Sequence, residues 1–176
     1  TRQKHQRAPL NINLYLGTDP IEQVSSHRVL GVVIDDEMRW NLHINNVCRS
    51  VSKNLYLLSK LKYYIDASAQ KMFFHAHCLS HINYASNVWS GAGEVHLKKL
   101  NSLHRRAGKI ISPNPYLSTS DKLRSVNIIS LEQQFNLNLA VLVYKARHGL
   151  ASKYIEGLLF SSITRYDSNK YILPRT

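Results

Sequence analysis

Leu10, Ile12, Leu14 and Leu16 alternate with Asn11, Asn13 and Tyr15, the period-two pattern of a half-buried strand. Gly17-Thr18-Asp19-Pro20 follows with turn chemistry, because glycine tolerates positive φ and proline presets its own. Residues 21–24 and 29–34 are predicted to be strands that pair as a hairpin, so 9–35 is expected to be a small β element. From Trp40 the period becomes helical. Ile44, Val47, Cys48, Val51, Leu55, Leu58 and Ile65 fall on one side of a wheel, and Arg49, Lys53 and Lys60 cluster on the other, an amphipathic helix with a basic outer stripe.

A second helix is predicted over 67–83 behind Asp66, a residue type that caps helix N-termini, and it ends before the aromatic and glycine-rich 84–93. A third, over 94–111, repeats the partition of the first: Leu97, Leu100, Leu103, Ala107, Ile110 and Ile111 share one face, and Lys98, Lys99, Arg105, Arg106 and Lys109 the other. Ser112-Pro113-Asn114-Pro115 stops it, since proline lacks the donor and disfavours helix in the residue before it. Residues 119–126 are predicted as a short helix and 131–148 as a longer one stopped at Gly149. The expected fold class is therefore α+β, mostly α, a short N-terminal β hairpin followed by a helical bundle. Its stretches are the β part (1–38), a basic helical bundle (39–112), further helices (113–160) and a polar basic tail ordered by a partner (161–176).

Charge adds a partner to this picture. Against 23 Lys and Arg stand 11 Asp and Glu, a net charge of +12, which predicts a polyanion and most often nucleic acid. The excess is concentrated: residues 39–109 carry eleven Lys or Arg and only Asp66 and Glu94 as acids. Helical lysines and arginines are commonly just a solvated face, but the scarcity of neutralising acids, with both stripes opposite apolar faces, favours phosphate-backbone binding. Tyr56, Tyr63 and Tyr64 are open to two readings, stacking on bases or sugars, or packing. No apolar run is long enough for a membrane span. Cys48 and Cys78 lack metal-ligand spacing and are expected to be reduced thiols of an intracellular protein. With neither an initiator Met nor a signal-type apolar region after Thr1, the chain is expected to be an internal fragment.

Two candidate sites of chemistry are weaker than the basic stripes. Asp35-Asp36 invites a two-metal reading, but adjacent strand residues point to opposite faces and no suitable third carboxylate precedes them, so a turn or helix-start role is expected. His77 and His81 stand four apart on a helix beside Cys78, a spacing that can grip zinc; without a fourth ligand, helix packing with partly exposed histidines is the plainer reading. His75 and Cys78 share a face with Met72 and Ile82 that is expected to be core. No nucleophile elbow and no glycine-rich phosphate loop occurs.

Val29-Leu30-Gly31-Val32-Val33-Ile34-Asp35, followed by Trp40-Asn41-Leu42-His43-Ile44, resembles the LGV-type segment that closes the palm of reverse transcriptases from LINE-like, non-LTR retrotransposons. The resemblance continues through His81-Ile82-Asn83-Tyr84, Asn87-Val88-Trp89, Arg105-Arg106-Ala107, Pro115-Tyr116, the segment 123–131, Val143-Tyr144-Lys145, Gly149-Leu150 and Leu173-Pro174-Arg175. By that resemblance Leu30, Gly31 and Val32 belong to a primer-grip hairpin, and the helices after Trp40 are a thumb that cradles an RNA–DNA or RNA template-primer duplex. Arg49, Lys53, Lys60, Lys98, Lys99, Arg105, Arg106 and Lys109 are the expected phosphate contacts. The family often carries an aromatic residue before the LG pair, where this chain has Val29. The resemblance also implies that the palm and fingers, with the Mg²⁺-binding aspartates, lie in missing parts of the same polypeptide. On that reading this chain alone does not polymerise, needs no cofactor of its own, contacts no membrane and works in nucleus and cytoplasm. The alternative is a non-catalytic helical interaction module or a decayed retroelement reading frame.

Overall fold

Two small antiparallel hairpins lead into a set of packed helices, an α+β and mostly α fold, in a computed structural model that describes residues 13–166. β1 (Leu14–Leu16) pairs with β2 (Asp19–Ile21), Leu14 opposite Ile21, around Gly17 at φ 65°. Every residue of this ribbon is exposed, Leu14 and Leu16 included, so the half-buried strand expected over 10–16 does not form as such. A two-stranded ribbon of this length has no second layer against which to bury a face. Leu10 and Ile12 lie outside the described residues.

β3 (Ser26–Val29) and β4 (Val32–Asp35) form the second hairpin, Ser26 opposite Asp35 and Val29 opposite Val32. The expected strand over 29–34 is thus divided by a turn, and 21–24 is not its partner. The division falls at Leu30 (φ 46°) and Gly31 (φ 85°), both left-handed, which makes a two-residue turn of the primed kind whose twist suits paired strands.

Asp35 steers the chain out of β4. Its carboxylate accepts the backbone N–H groups of Arg39 and Trp40, each at 2.9 Å. Trp40, left-handed at φ 63°, precedes α1 (Asn41–Leu61) without a side-chain cap of its own. α1 buries His43, Ile44, Val47, Cys48, Val51, Leu55 and Leu58, the predicted face with one histidine added and without Ile65, which lies past the helix end and is half-buried. Asp66 caps α2 (Ala67–Phe73), accepting from the Ala69 N–H at 2.8 Å. α2 passes without a break into a π-helical segment (Phe74–Leu79) and α3 (Ser80–Asn83), so the span 67–83 is as predicted, and its inner face is so only at Cys78 and Ile82. The wider π turn shifts the phase: Phe74, Cys78, Leu79 and Ile82 are buried, whereas Met72 and His75, expected in the core, are exposed.

The region after Tyr84 contains a short helix, α4 (Ser86–Trp89), which places Trp89 in the core, its indole N–H donating to the Tyr84 carbonyl at 3.0 Å. α5 (Glu94–Ile111) packs along α1, and Val51, Leu55, Leu58, Leu100 and Ala107 between them have no exposure. Each of the valine and leucine side chains among them contributes roughly 1.5–3 kcal/mol on burial. α6 (Thr119–Ser125) approaches α5 at Gly108, where a Cβ would lie 2.8 Å from Leu123 Cδ2. α7 (Leu131–Arg147) starts at a reciprocal Ser130–Gln133 capping box and stops before Gly149 at φ 68°. Leu123, Ile128 and Leu131 belong to the same core as α1 and α5, which therefore continues past residue 112. α8 (Lys153–Tyr166) runs into the stretch expected as a tail; residues 167–176 lie outside the described residues.

Candidate nucleic-acid interface

Residues 98, 105, 106 and 109 recur at steps of seven, one and three, which a helix places on one face. On α5 that face is exposed, and Lys98, Arg105, Arg106 and Lys109 line a groove of about 450 Å³ with Asn101, Ser102 and Thr119 of α6. From Lys98 to Lys109 the helix rises about 16 Å. Glu94 lies 3.8 Å from Lys98 Nζ, in a pair so exposed that it is worth only about 0.3–0.5 kcal/mol, and Glu132 of α7 shares an adjoining cleft with Lys98. Lys99 stands apart from this groove. It lies near enough to Cys48 on α1 for its charge to favour the thiolate, although burial, the larger effect, still raises that thiol's pKa.

On α1, Arg49, Lys53 and Lys60 are all exposed. Lys60 lies over the Tyr56 ring at 5.5 Å and Lys62 over Tyr63 at 4.9 Å. Tyr56, Tyr63 and Tyr64 are 62%, 79% and 85% exposed, so of their two readings core packing is excluded. Arg49 opens onto a second cleft, about 510 Å³, shared with Arg28, Gly31, His43, His81 and Tyr84. Arg49 of α1 and the α5 cations thus border different clefts. Arg28 carried no signal in the sequence, because only the turn at Leu30-Gly31 brings β3 beside α1, and Tyr84 entered only through the resemblance, with nothing local to place it against that turn.

The Leu30-Gly31-Val32 segment divides its roles. Leu30 is 86% exposed at the hairpin tip, Gly31 supplies the second left-handed turn position, and Val32 is buried. A left-handed leucine costs about 1–2 kcal/mol, partly offset by the Tyr84 hydroxyl, which donates to the Leu30 carbonyl. The Tyr84 ring lies 3.5 Å from where a Gly31 Cβ would be, so the turn rests on that ring. His43 Nδ1 accepts the Val33 N–H at 3.4 Å and ties β4 to α1. Burial, and then the Arg28 charge, lower its pKa and keep it a neutral acceptor.

Asp35 and Asp36 do not form a pair. Asp35 is buried with both carboxylate oxygens taken by backbone donors, and Asp36 is exposed, its own N–H bonded to the Ser25 carbonyl. His77, Cys78 and His81 also diverge. His77 is exposed against the Phe73 ring at 4.6 Å, its carbonyl accepting the Asn54 side chain, while His81 borders the Arg49 cleft. Cys78 is fully buried, and burial pushes its thiol up to about 12. Among the described residues no three His, Cys, Asp or Glu side chains are grouped so as to hold a metal ion, and no helix is long and apolar enough to cross a membrane. No protein family, curated protein or solved structure matches the chain.

Proposed function

We propose that this chain is the nucleic-acid-binding primer-grip, thumb and post-thumb part of a LINE-like, non-LTR retrotransposon reverse transcriptase, an RNA-directed DNA polymerase. It holds an RNA–DNA or RNA template-primer duplex by its phosphates and leaves the Mg²⁺ chemistry to palm aspartates outside this sequence. The observation that carries the reading is the α5 groove, where Lys98, Arg105, Arg106 and Lys109 stand together and no acid is among the lining residues. Such a groove suits a chain of phosphates, whose condensed counterions are released when lysine and arginine replace them. Arg49, Lys53, Lys60 and Lys99 extend the positive surface, and the exposed tip at Leu30 suits a contact with the end of a strand. The work of such a chain lies wherever its RNA template and DNA product meet, in cytoplasm and nucleus.

Fluorescence anisotropy with a labelled RNA–DNA hybrid tests this. With about six phosphates contacted, affinity falls about a thousandfold between 50 and 200 mM salt. Arg106→Glu and Lys53→Glu each weaken binding without changing the far-UV spectrum or the melting temperature, since both side chains are exposed. Binding that ignores salt, or that survives both reversals intact, refutes the reading and favours a helical interaction module whose cations are merely solvated.

A further inference from the structure

α7 is an apolar helix that the fold leaves largely uncovered. Of its 17 residues only Leu131, Gln134 and Ala146 are buried, whereas Leu137, Leu139, Val141, Val143 and Tyr144 are 40% to 60% exposed. An apolar surface of this kind commonly marks an interface. Its rotation about its own axis is set by a polar clamp. Asn138 donates to Asn83 Oδ1 at 3.1 Å and to Ser86 Oγ at 2.9 Å, and accepts from the Gln134 amide at 3.1 Å. With Asn138 held inward, the stripe Glu132, Asn136, Leu139, Ala140, Val143 and Arg147 faces outward, within about 100° of arc. Five of these residues, all but Glu132, line a shallow groove of about 790 Å³, and Glu132 borders the one adjoining it.

The stripe is complementary to itself. A second α7 laid antiparallel about a twofold axis between Leu139 and Ala140 sets Leu139 against the partner's Ala140, Asn136 against the partner's Val143, and Glu132 against the partner's Arg147. Twofold symmetry makes each contact twice. Parallel pairing would instead oppose Glu132 to its own copy and Arg147 to its own copy, so the charges select the antiparallel arrangement. The stripe holds one acid and one base, so the chain's net charge of +12 is not concentrated on it.

We propose that α7 is a self-association face through which two copies of this chain form an antiparallel, twofold dimer. The test uses the whole 176-residue chain, free of nucleic acid, by sedimentation equilibrium from micromolar to near-millimolar concentration. A concentration-dependent dimer is expected. Glu132→Arg and Arg147→Glu each weaken it about tenfold, because two attractions become two repulsions, and the double variant recovers to within about threefold. Leu139→Asp abolishes it, and at concentrations where the parent is monomeric all variants still melt cooperatively as folded proteins, because every altered side chain is exposed. A monomer at every concentration overturns the proposal and leaves the face to a different polypeptide. A dimer indifferent to these substitutions places the contact elsewhere and overturns it equally. No duplex enters the experiment, so its outcome is independent of the nucleic-acid reading.

Discussion

Replacing His104 by leucine should stabilise the protein, and increasingly so as the pH falls. His104, on α5, is fully buried, its ring edge-on to Phe74 at 5.7 Å, and neither of its nitrogens has a hydrogen-bond partner. Leaving buried polar atoms unsatisfied costs about 1–3 kcal/mol each, a penalty leucine, of similar volume, does not incur. Burial also pushes the imidazole down to about 4 from the ordinary 6.5. The unfolded chain therefore takes up a proton near 6.5 that the folded chain refuses until about 4. Stability linked to this group is present in full above 6.5 and is lost as the pH falls toward 4. The gap corresponds to about 3 kcal/mol, of which about 2.5 is gone by pH 4.5. Urea unfolding of parent and His104→Leu measures it at about pH 8 and about pH 4.5. The variant should be at least as stable at the higher pH, and its advantage should widen by about 2.5 kcal/mol at the lower. Other titrating groups act in both proteins and cancel. If the two stabilities instead fall in parallel, His104 is not held neutral in the core and the reasoning fails.

Gly108→Ala offers a sharper conflict of effects. Alanine is the better helix former by about 1 kcal/mol, yet its Cβ would lie 2.8 Å from Leu123 Cδ2 and 3.3 Å from the Leu123 backbone nitrogen, so α6 must shift. A net loss of about 1–2 kcal/mol is expected in thermal melts, and a raised melting temperature would contradict it. Asp35→Ala deprives the Arg39 and Trp40 amides of their acceptor at the start of α1, for a loss of about 2 kcal/mol at neutral pH. Burial raises the Asp35 pKa, but backbone donors led by Arg39 and Trp40 outweigh it and hold the carboxyl below the usual carboxylate range. Its stabilisation is thus complete above that range and disappears as the pH falls through the folded value. Stabilities of parent and variant should converge in acid, and a constant difference would argue against the cap.

The long helices were legible because their amphipathic period persists over many turns. Glu94–Ile111 matches its predicted span, Asp66 acts as the N-cap its residue type suggested, and Gly149 stands at the predicted stop. Three features were not legible, each for its own reason. Leucine rarely adopts positive φ, so nothing at Leu30 announced a turn inside an apolar run. The π segment alters the number of residues per turn, and no fixed period follows that change. His104 stands four residues after Leu100 and three before Ala107, squarely on the inner face, but its polarity hid it. The basic stripes themselves were readable, while their division between two clefts depends on where β3, β4 and α6 pack, which no local pattern carries.

Fold and charge are also linked energetically. α1 and α5 bury their apolar faces against each other, and this forces their cations outward onto surfaces with almost no acids to offset them. Lys98, Arg105, Arg106 and Lys109 share one groove, so their mutual repulsion opposes folding more than it would in the expanded chain. Added salt screens that repulsion and therefore strengthens the fold. A polyanion that binds only the folded chain strengthens it too, by mass action, but salt then weakens the binding. For a duplex-binding groove, salt thus has opposite signs on stability and on affinity, with the duplex most stabilising where the free protein is weakest. A merely solvated basic face has only the first of these responses, and that asymmetry is what physically distinguishes a phosphate track from a surface that is basic for solubility alone.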